Sequence, residues 1–224
     1  MNRFVKRLAS SLPLSWQQEL KRLVHGYEIR RDNFRSYEPE FAILDSLISA
    51  GDWVIDVGAN VGHYTKRFSE LVGPHGRVIA LEPVPQTFAL VSANALRFRH
   101  SNVTLLNIGA SDRPGIVGVQ IARFDTGLNN YYEARLSDGK ADFQVLTVTL
   151  DALTFPHPIK LMKIDAEGHD PAVLRGAEAL LQRDHPILIV ETGSSDVVDY
   201  LHGFGYTSET LPDSPNTLFR WTAG

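Results

Sequence analysis

From residue 53 onward the chain alternates short apolar runs with stretches of helical hydrophobic period, and that alternation leaves few folds open to it. Trp53–Val57, Arg77–Glu82, Val103–Asn107, Ile159–Asp165 and Ile187–Glu191 read as strands. Between them, His63–Val72 (Tyr64, Phe68, Leu71 and Val72 on one face), Pro85–Arg99 (Phe88, Val91, Ala95 and Phe98 inward) and Asp196–Phe204 read as helices. A further helix starts at Asp170, which precedes Pro171 as a natural N-cap, and buries Val173, Leu174, Ala177, Leu180 and Leu181. Thr217–Trp221 reads as a last strand. Strands that alternate with helices form parallel sheets, and apolar runs without strict alternation mark strands covered on both faces.

Residues 115–151 break the rhythm. Ile116–Ile121 and Phe143–Leu150 alternate like antiparallel strands, with residues 125–130 and 137–140 between them as loops. The segment reads as an insertion beside the main sheet that would wall a substrate site. Before residue 53 the chain reads as helical: Phe4, Val5 and Leu8 share one face and Leu20, Leu23 and Val24 another, with Pro13 between them. Phe41, Ile43, Leu44, Leu47 and Ile48 form a third amphipathic stretch ended by Gly51. The expected organisation is therefore an N-terminal helical extension, 1–36, and a main domain, 37–224.

Composition narrows the chemistry. Among 224 residues there is no cysteine, which excludes a disulfide scaffold, thiolate metal ligands and a thiol nucleophile, and fits a reducing compartment. The net charge is −4, but residues 1–35 carry eight basic side chains and three acids, +5, which leaves −9 for the rest. An acidic body does not suit a phosphate backbone, so no nucleic-acid partner is expected. No apolar run is long enough to span a bilayer, and Arg3 to Pro13 lacks the uninterrupted apolar core of a secretory signal. The expected location is cytoplasmic. The basic, apolar N-terminal segment offers either a peripheral membrane contact or helices that cover the domain or pair two subunits.

Three motifs converge at strand ends. Asp56-Val57-Gly58-Ala59-Asn60-Val61-Gly62 joins the first strand to the first helix, where glycines let backbone approach a ligand. Its spacing is not the G-x-G-x-x-G of a dinucleotide site, and a carboxylate at Asp56 suits the ammonium of an amino-acid ligand better than a pyrophosphate. Glu82 ends the second strand, where a carboxylate accepts hydrogen bonds from ribose hydroxyls. Lys163-Ile164-Asp165-Ala166-Glu167-Gly168-His169-Asp170 gathers acids, a lysine and a histidine at the same edge, and Glu191 ends the following strand there.

Taken with A-L-E-P and T-L-D-A-L, the D-V-G-A-N-V-G-H-Y-T and K-I-D-A-E-G-H-D segments make residues 37–191 resemble the FkbM-type methyltransferases. The family often has glutamate where Asp170 stands. The resemblance implies an α/β class I fold: a mostly parallel seven-stranded sheet with one antiparallel strand and helices on both faces. It implies S-adenosylmethionine as methyl donor and a hydroxyl on a sugar, glycan or secondary metabolite as acceptor. It places Asp56, Gly58, Asn60 and Gly62 around the methionine part, Glu82 at the ribose, Asn107 to Ala110 beside the adenine, and Asp165 near the sulfonium.

Methyl transfer to an alcohol needs alignment and an acceptor for the hydroxyl proton. Asp165 and Glu167 rank first for that role, then His169, with Glu191 also within the candidate set. Asn129, Asn130 and Tyr131, in the loop 123–140, would shape the acceptor site together with Glu191. No clear set of metal ligands stands out, and metal activation is not expected. The rival readings are an NAD-dependent oxidoreductase, a non-catalytic nucleoside-binding module and a nucleic-acid methyltransferase.

Overall fold

The computed structural model describes residues 13–123, 129–137, 141–192 and 194–222. In chain order the elements are α1 (Leu14–Arg30), a 3-10 turn (Pro39–Ala42), α2 (Leu44–Leu47), β1 (Trp53–Val57), α3 (His63–Val72), β2 (Arg77–Leu81), α4 (Pro85–Ala95), β3 (Val103–Leu106) and β4 (Gly109–Ala110). There follow β5 (Gly115–Arg123), β6 (Asn129–Ser137), β7 (Phe143–Val148), a 3-10 turn (Leu150–Ala152), β8 (Ile159–Ile164), α5 (Asp170–Arg175), α6 (Glu178–Asp184), β9 (Ile187–Glu191), α7 (Ser195–Gly203), β10 (Tyr206–Thr210) and β11 (Asn216–Trp221).

The main sheet has seven strands in the order β10-β11-β9-β8-β1-β2-β3. β9, β8, β1, β2 and β3 pair in parallel, and β11 runs antiparallel to both its neighbours. The middle strands are buried along nearly their whole length because helices cover both faces. One face builds a core of Ile55, Ile79, Met162, Val173 and Leu188 among others; the opposite face packs Val54, Phe68, Val78, Leu161 and Leu218 with Leu44 and Leu47. Because β8, β1 and β2 are adjacent and parallel, Asp165, Gly58 and Glu82, which follow them, emerge side by side at one edge.

Several sequence expectations need correction. The strand Tyr206–Thr210 was not legible: it has one buried residue and four exposed polar ones, so no apolar run marks it. The helix at 85 ends at Ala95; Val91 is inward as expected and Phe98, past the helix end, packs against the Ile29, Phe34, Val61 and Leu90 core, but Thr87, Leu90 and Asn94 rather than Phe88 and Ala95 complete the buried face. Asn94 is buried there with its Nδ2 donating to the Val61 carbonyl, 2.8 Å away. The stretch Phe41–Ile48 is a 3-10 turn followed by four helical residues.

Asp170 is the first helical residue, not the cap. Its carboxylate reaches back to accept the N–H groups of Ala166, 3.0 Å, and Gly168, 3.1 Å, and so folds the loop after β8.

The insertion is a separate four-stranded sheet, β4-β7-β5-β6. Asn129 and Asn130 pair in register with Arg123 and Ala122, so the backbone from 129 is strand rather than loop. Residues 124–128 and 138–140 lie outside the described residues.

The N-terminal helix α1 packs on α4, and Ile29 and Phe34 join Val61 and Leu90 in a small core behind the loop that follows β1. No described helix is long and apolar enough to cross a membrane.

Candidate active site

The loop after β1 is bound to both neighbouring strands through its backbone. The N–H groups of Gly58 and Ala59 donate to the Leu81 carbonyl, each at 3.0 Å, and the Asp165 N–H donates to the Val57 carbonyl at 3.1 Å. Gly58 has φ +78°, and a β-carbon there would lie 1.9 Å from the Asp165 carbonyl oxygen. Only glycine fits that approach. Asn60 follows at φ +51°, a left-handed conformation that asparagine tolerates better than most residues. Gly62 starts α3, seated against Val91.

Glu82 is buried, and it splits its carboxylate between two backbone donors. Asn60 N–H meets Oε2 at 2.8 Å, and Val84 N–H meets Oε1 at 2.9 Å. Each oxygen keeps a lone pair for a ligand hydroxyl. Burial raises its pKa to about 7, and the two N–H groups oppose the rise. Asn107 is an exposed brace, its Nδ2 donating to the Glu82 and Pro83 carbonyls at 2.8 and 3.1 Å.

Asp56 sits deeper, behind the loop. Thr65 Oγ1 donates to its Oδ2 at 2.5 Å, while Oδ1 is buried with no hydrogen-bond partner. Burial raises the Asp56 pKa to about 6, against the pull of the Lys163 charge and the Thr65 hydrogen bond.

Lys163 is the hub that sequence reading left without a role. It is buried, its Nζ lies 2.7 Å from Asp165 Oδ2, and it stands 4.5 Å over the ring of Tyr64. The Tyr64 hydroxyl donates to Glu38, 2.6 Å, and Glu40, 2.8 Å. Burial works against the lysine's charge, but Asp165 and Asp56 more than offset it and hold its pKa above the usual value. The signal was a lysine inside an otherwise apolar strand: such a cation survives burial only with partners.

The carboxylates of Asp165 and Glu191 lie within 4.8 Å of each other, and their pKa values are pushed in opposite directions. Burial favours protonating Asp165, yet the Lys163 charge and a hydrogen bond from Glu191 keep it below the ordinary carboxylate range. Glu191 is pushed well above that range, first by this hydrogen bond and then by burial and the charges of Asp165 and Glu167. Two neighbouring carboxyls that cannot both ionise cheaply behave in this way.

The cleft at this edge is lined by Gly58 and Asn60 from the loop, by Glu82, Pro83 and Val84 after β2, and by Ile108, Gly109 and Ala110. Asp165, Ala166, Glu167 and His169 close the other side, and Val119 and Ala134 of the insertion complete the wall. Val119 packs with Val84 and Val145, which ties the insertion to the loop after β2. His169 Nε2 lies 2.9 Å from Ser111 Oγ.

Of the residues read from sequence, Gly58, Asn60, Glu82, Ala110, Asp165, Glu167 and His169 therefore line one cleft. Asp56, Gly62 and Asn107 support it from behind or beside, and Glu191 joins through Asp165. Asn129, Asn130 and Tyr131 lie on β6, and their side chains are outside the described residues.

The acids also correct the expectation that no metal ligands gather. Asp165, Glu167 and Glu191 offer oxygens within 4.8 Å of one another. Lys163 Nζ, 2.7 Å from Asp165 Oδ2, already places one positive charge beside that cluster.

A second cavity of about 500 Å³, between residues 32–45 and α3, lies away from these strand ends. Lys66, on its wall, is paired with Asp32 and Glu70.

Comparison with known proteins points the same way. A family model described as the methyltransferase FkbM domain matches residues 56–208. The chain is 29% identical over 192 residues to 31-O-demethyl-FK506 methyltransferase FkbM of Streptomyces tacrolimicus, covering 70% of this chain and 73% of that protein. Over 94 residues it is 34% identical to a protein-L-isoaspartate O-methyltransferase of Methanothrix thermoacetophila, covering 42% and 43% of the two chains. Among solved structures, a methyltransferase FkbM from Methylobacillus flagellatus superposes with a TM-score of 0.54 at 16% identity. That match covers 78% of this chain but only 44% of the other, so this chain spans under half of that protein.

Proposed function

Since the chain belongs to the FkbM family of methyltransferases and its methyl donor is S-adenosylmethionine, we propose that it methylates a hydroxyl oxygen on a sugar, glycan or secondary metabolite, with the Asp165–Glu191 pair taking the hydroxyl proton. The donor supplies an electrophilic methyl group on a positively charged sulfur. Two observations fit these residues to it. Asp56 Oδ1 is a buried acceptor without a partner, and Glu82, on the cleft wall, has a single backbone donor on each oxygen and a lone pair to spare on each. Asp56, Gly58, Asn60 and Gly62 would hold its amino-acid part, Glu82 its ribose, and the Ile108–Ala110 strip its base.

The observation that carries the proposal is geometric: Asp165 lines the cleft with the Glu191 carboxylate within 4.8 Å and Lys163 Nζ 2.7 Å away, an arrangement in which the two acids would share one proton. With that proton present, Asp165 is a poor base, because Lys163 stabilises its charge. Once the proton leaves, the doubly ionised pair has a raised proton affinity and can accept hydrogen from an alcohol. A positive charge placed beside Asp165 favours that loss. The cationic donor thus keeps the pair ionised and open to a proton, while lowering its proton affinity in the same measure. Lys163 holds Asp165 in position, and Val119 and Ala134 exclude water from one side. Glu167 and His169 line the same wall and would orient the acceptor hydroxyl.

The relative named 31-O-demethyl-FK506 methyltransferase supports an oxygen acceptor on a complex metabolite. Labelled donor incubated with glycan and hydroxylated-metabolite acceptors, followed by mass spectrometry, tests the reading. A methyl ether is expected. Transfer to nitrogen or to a carboxylate would overturn the oxygen-hydroxyl assignment. An NAD-dependent oxidoreductase is not favoured, because the loop lacks the dinucleotide glycine spacing.

A further inference from the structure

Helix α1 is inside out. Its protein-facing side carries Gln18, Lys21, Arg22, His25 and Ile29, while Trp16, Leu20, Leu23, Val24 and Tyr27 face away from the domain. Those five side chains are 68, 46, 68, 46 and 55% exposed, and their spacing places them on roughly one third of the helix circumference. A helix on a globular surface ordinarily buries such a stripe.

The polar inner face is partnered at its centre, although Arg22 Nε is buried without a hydrogen bond. His25 Nδ1 lies 3.1 Å from Asn94 Nδ2, and burial lowers the His25 pKa to about 4, so the ring is neutral. Gly26 leaves room for the Arg97 side chain, and Phe34 stacks between His25 and His63. The orientation is therefore built in, and the apolar stripe lacks a cover among the described residues.

We propose that this stripe docks the enzyme on an anionic membrane surface. Charge selects that occupant. Arg30 and Arg31 fall on the same outward arc, one turn beyond Tyr27, and both are exposed. Glu19, beside the stripe, is neutralised by Arg22 at 2.7 Å. By sequence, residues 1–12 add Arg3, Lys6 and Arg7 with Phe4, Val5, Leu8 and Leu12, which brings residues 1–35 to +5 against an acidic body.

An interfacial helix has this composition: basic flanks, an apolar face, and aromatic residues at its ends. Pairing two copies through the stripe would instead bring together two net-positive helices, each with Lys21, Arg22, Arg30 and Arg31 against Glu19 and Glu28, and repel. Docking here would also set the loop after β1 near the surface, since Phe34 and Ile29 pack directly behind Val61.

The test is sedimentation of the full chain with vesicles of phosphatidylcholine alone or mixed with phosphatidylglycerol. The expected result is binding at least tenfold tighter to the anionic vesicles, weakened by salt. The variant Leu20→Ser/Leu23→Ser/Val24→Ser should lose at least tenfold while its donor affinity and melting temperature stay unchanged. Trp16 emission should shift to the blue on binding, a shift absent in Trp16→Phe. If the triple variant misfolds, Arg30→Glu/Arg31→Glu gives the charge arm of the test. Failure to bind, equal binding to neutral vesicles, or a dimer in sedimentation velocity that Leu23→Ser dissolves would each overturn the proposal. None of these outcomes touches the methyl-transfer reading.

Discussion

The backbone at Gly58 lies against the carbonyl of Asp165, so close that a β-carbon at position 58 would come within 1.9 Å of that oxygen. The loop after β1 and the strand end that carries Asp165 are thus one unit. Whatever displaces one displaces the other.

A methyl group at each of two glycines separates close approach from backbone strain. Gly58→Ala meets both the Asp165 carbonyl and a φ of +78°. Gly168→Ala meets a φ of +88° with open space around it. The left-handed conformation alone costs about 1–2 kcal/mol, so Gly168→Ala should lower the melting temperature by only a few degrees. Gly58→Ala should cost more than about 3 kcal/mol and abolish donor binding. Thermal unfolding and calorimetry of the two variants check the order.

Donor binding should strengthen as pH rises through the neutral range. In the ligand-free chain Glu82 keeps its proton up to about 7, whereas ribose hydroxyls and a positive sulfur favour its ionised form. Affinity should therefore rise roughly tenfold between pH 6 and 8, with proton release on binding below pH 7. Glu82→Gln should bind weakly and flatten the profile. The same raised pKa contributes stability below the ordinary value of 4.5 that is lost as pH climbs to about 7. The pH-stability curve of Glu82→Gln should differ from the parent over that window.

Turnover should increase with pH as the Asp165–Glu191 pair loses its shared proton. Glu191 ionises well above the ordinary carboxylate range, so rates at pH 5–6 should be low even with saturating substrates. Glu191→Gln should reduce turnover ~10²-fold and remove the rise, while leaving donor affinity nearly unchanged. A pH–rate profile under single-turnover conditions reads both effects.

Lys163 should prove necessary for the fold as well as for the site. Lys163→Met leaves Asp165 and Asp56 without the buried cation that offsets them. Removing one partner of a buried pair costs on the order of 3 kcal/mol. The loss should be smaller at pH 5 than at pH 8, because protonated carboxyls no longer need the cation. Denaturant unfolding at the two pH values provides the comparison.

The sequence made the βα alternation and the strand-end residues legible because they are local signals. Trp53–Val57, His63–Val72 and Ile187–Glu191 coincide with observed elements. Gly58, Glu82 and Asp165 meet because consecutive parallel strands end at one edge, which is a property of the topology. What the sequence hid depends on tertiary partners. Asn94 and Thr87 are buried polar residues that a hydrophobic pattern assigns to solvent. Tyr206–Thr210 is a polar edge strand, and the coupling of Glu191 to Asp165 joins positions from two strands. The outward stripe on α1 shows the converse, an apolar face that the pattern would bury.

The most direct test of the account is single-turnover methyl transfer from labelled S-adenosylmethionine to a hydroxylated acceptor, with the parent chain beside Asp165→Asn and Glu191→Gln. The account predicts a methyl ether product, with turnover down ~10²–10⁴-fold in Asp165→Asn and ~10²-fold in Glu191→Gln, and donor binding retained in both. Full rates in both variants, or a product methylated at nitrogen or carboxylate, would contradict it.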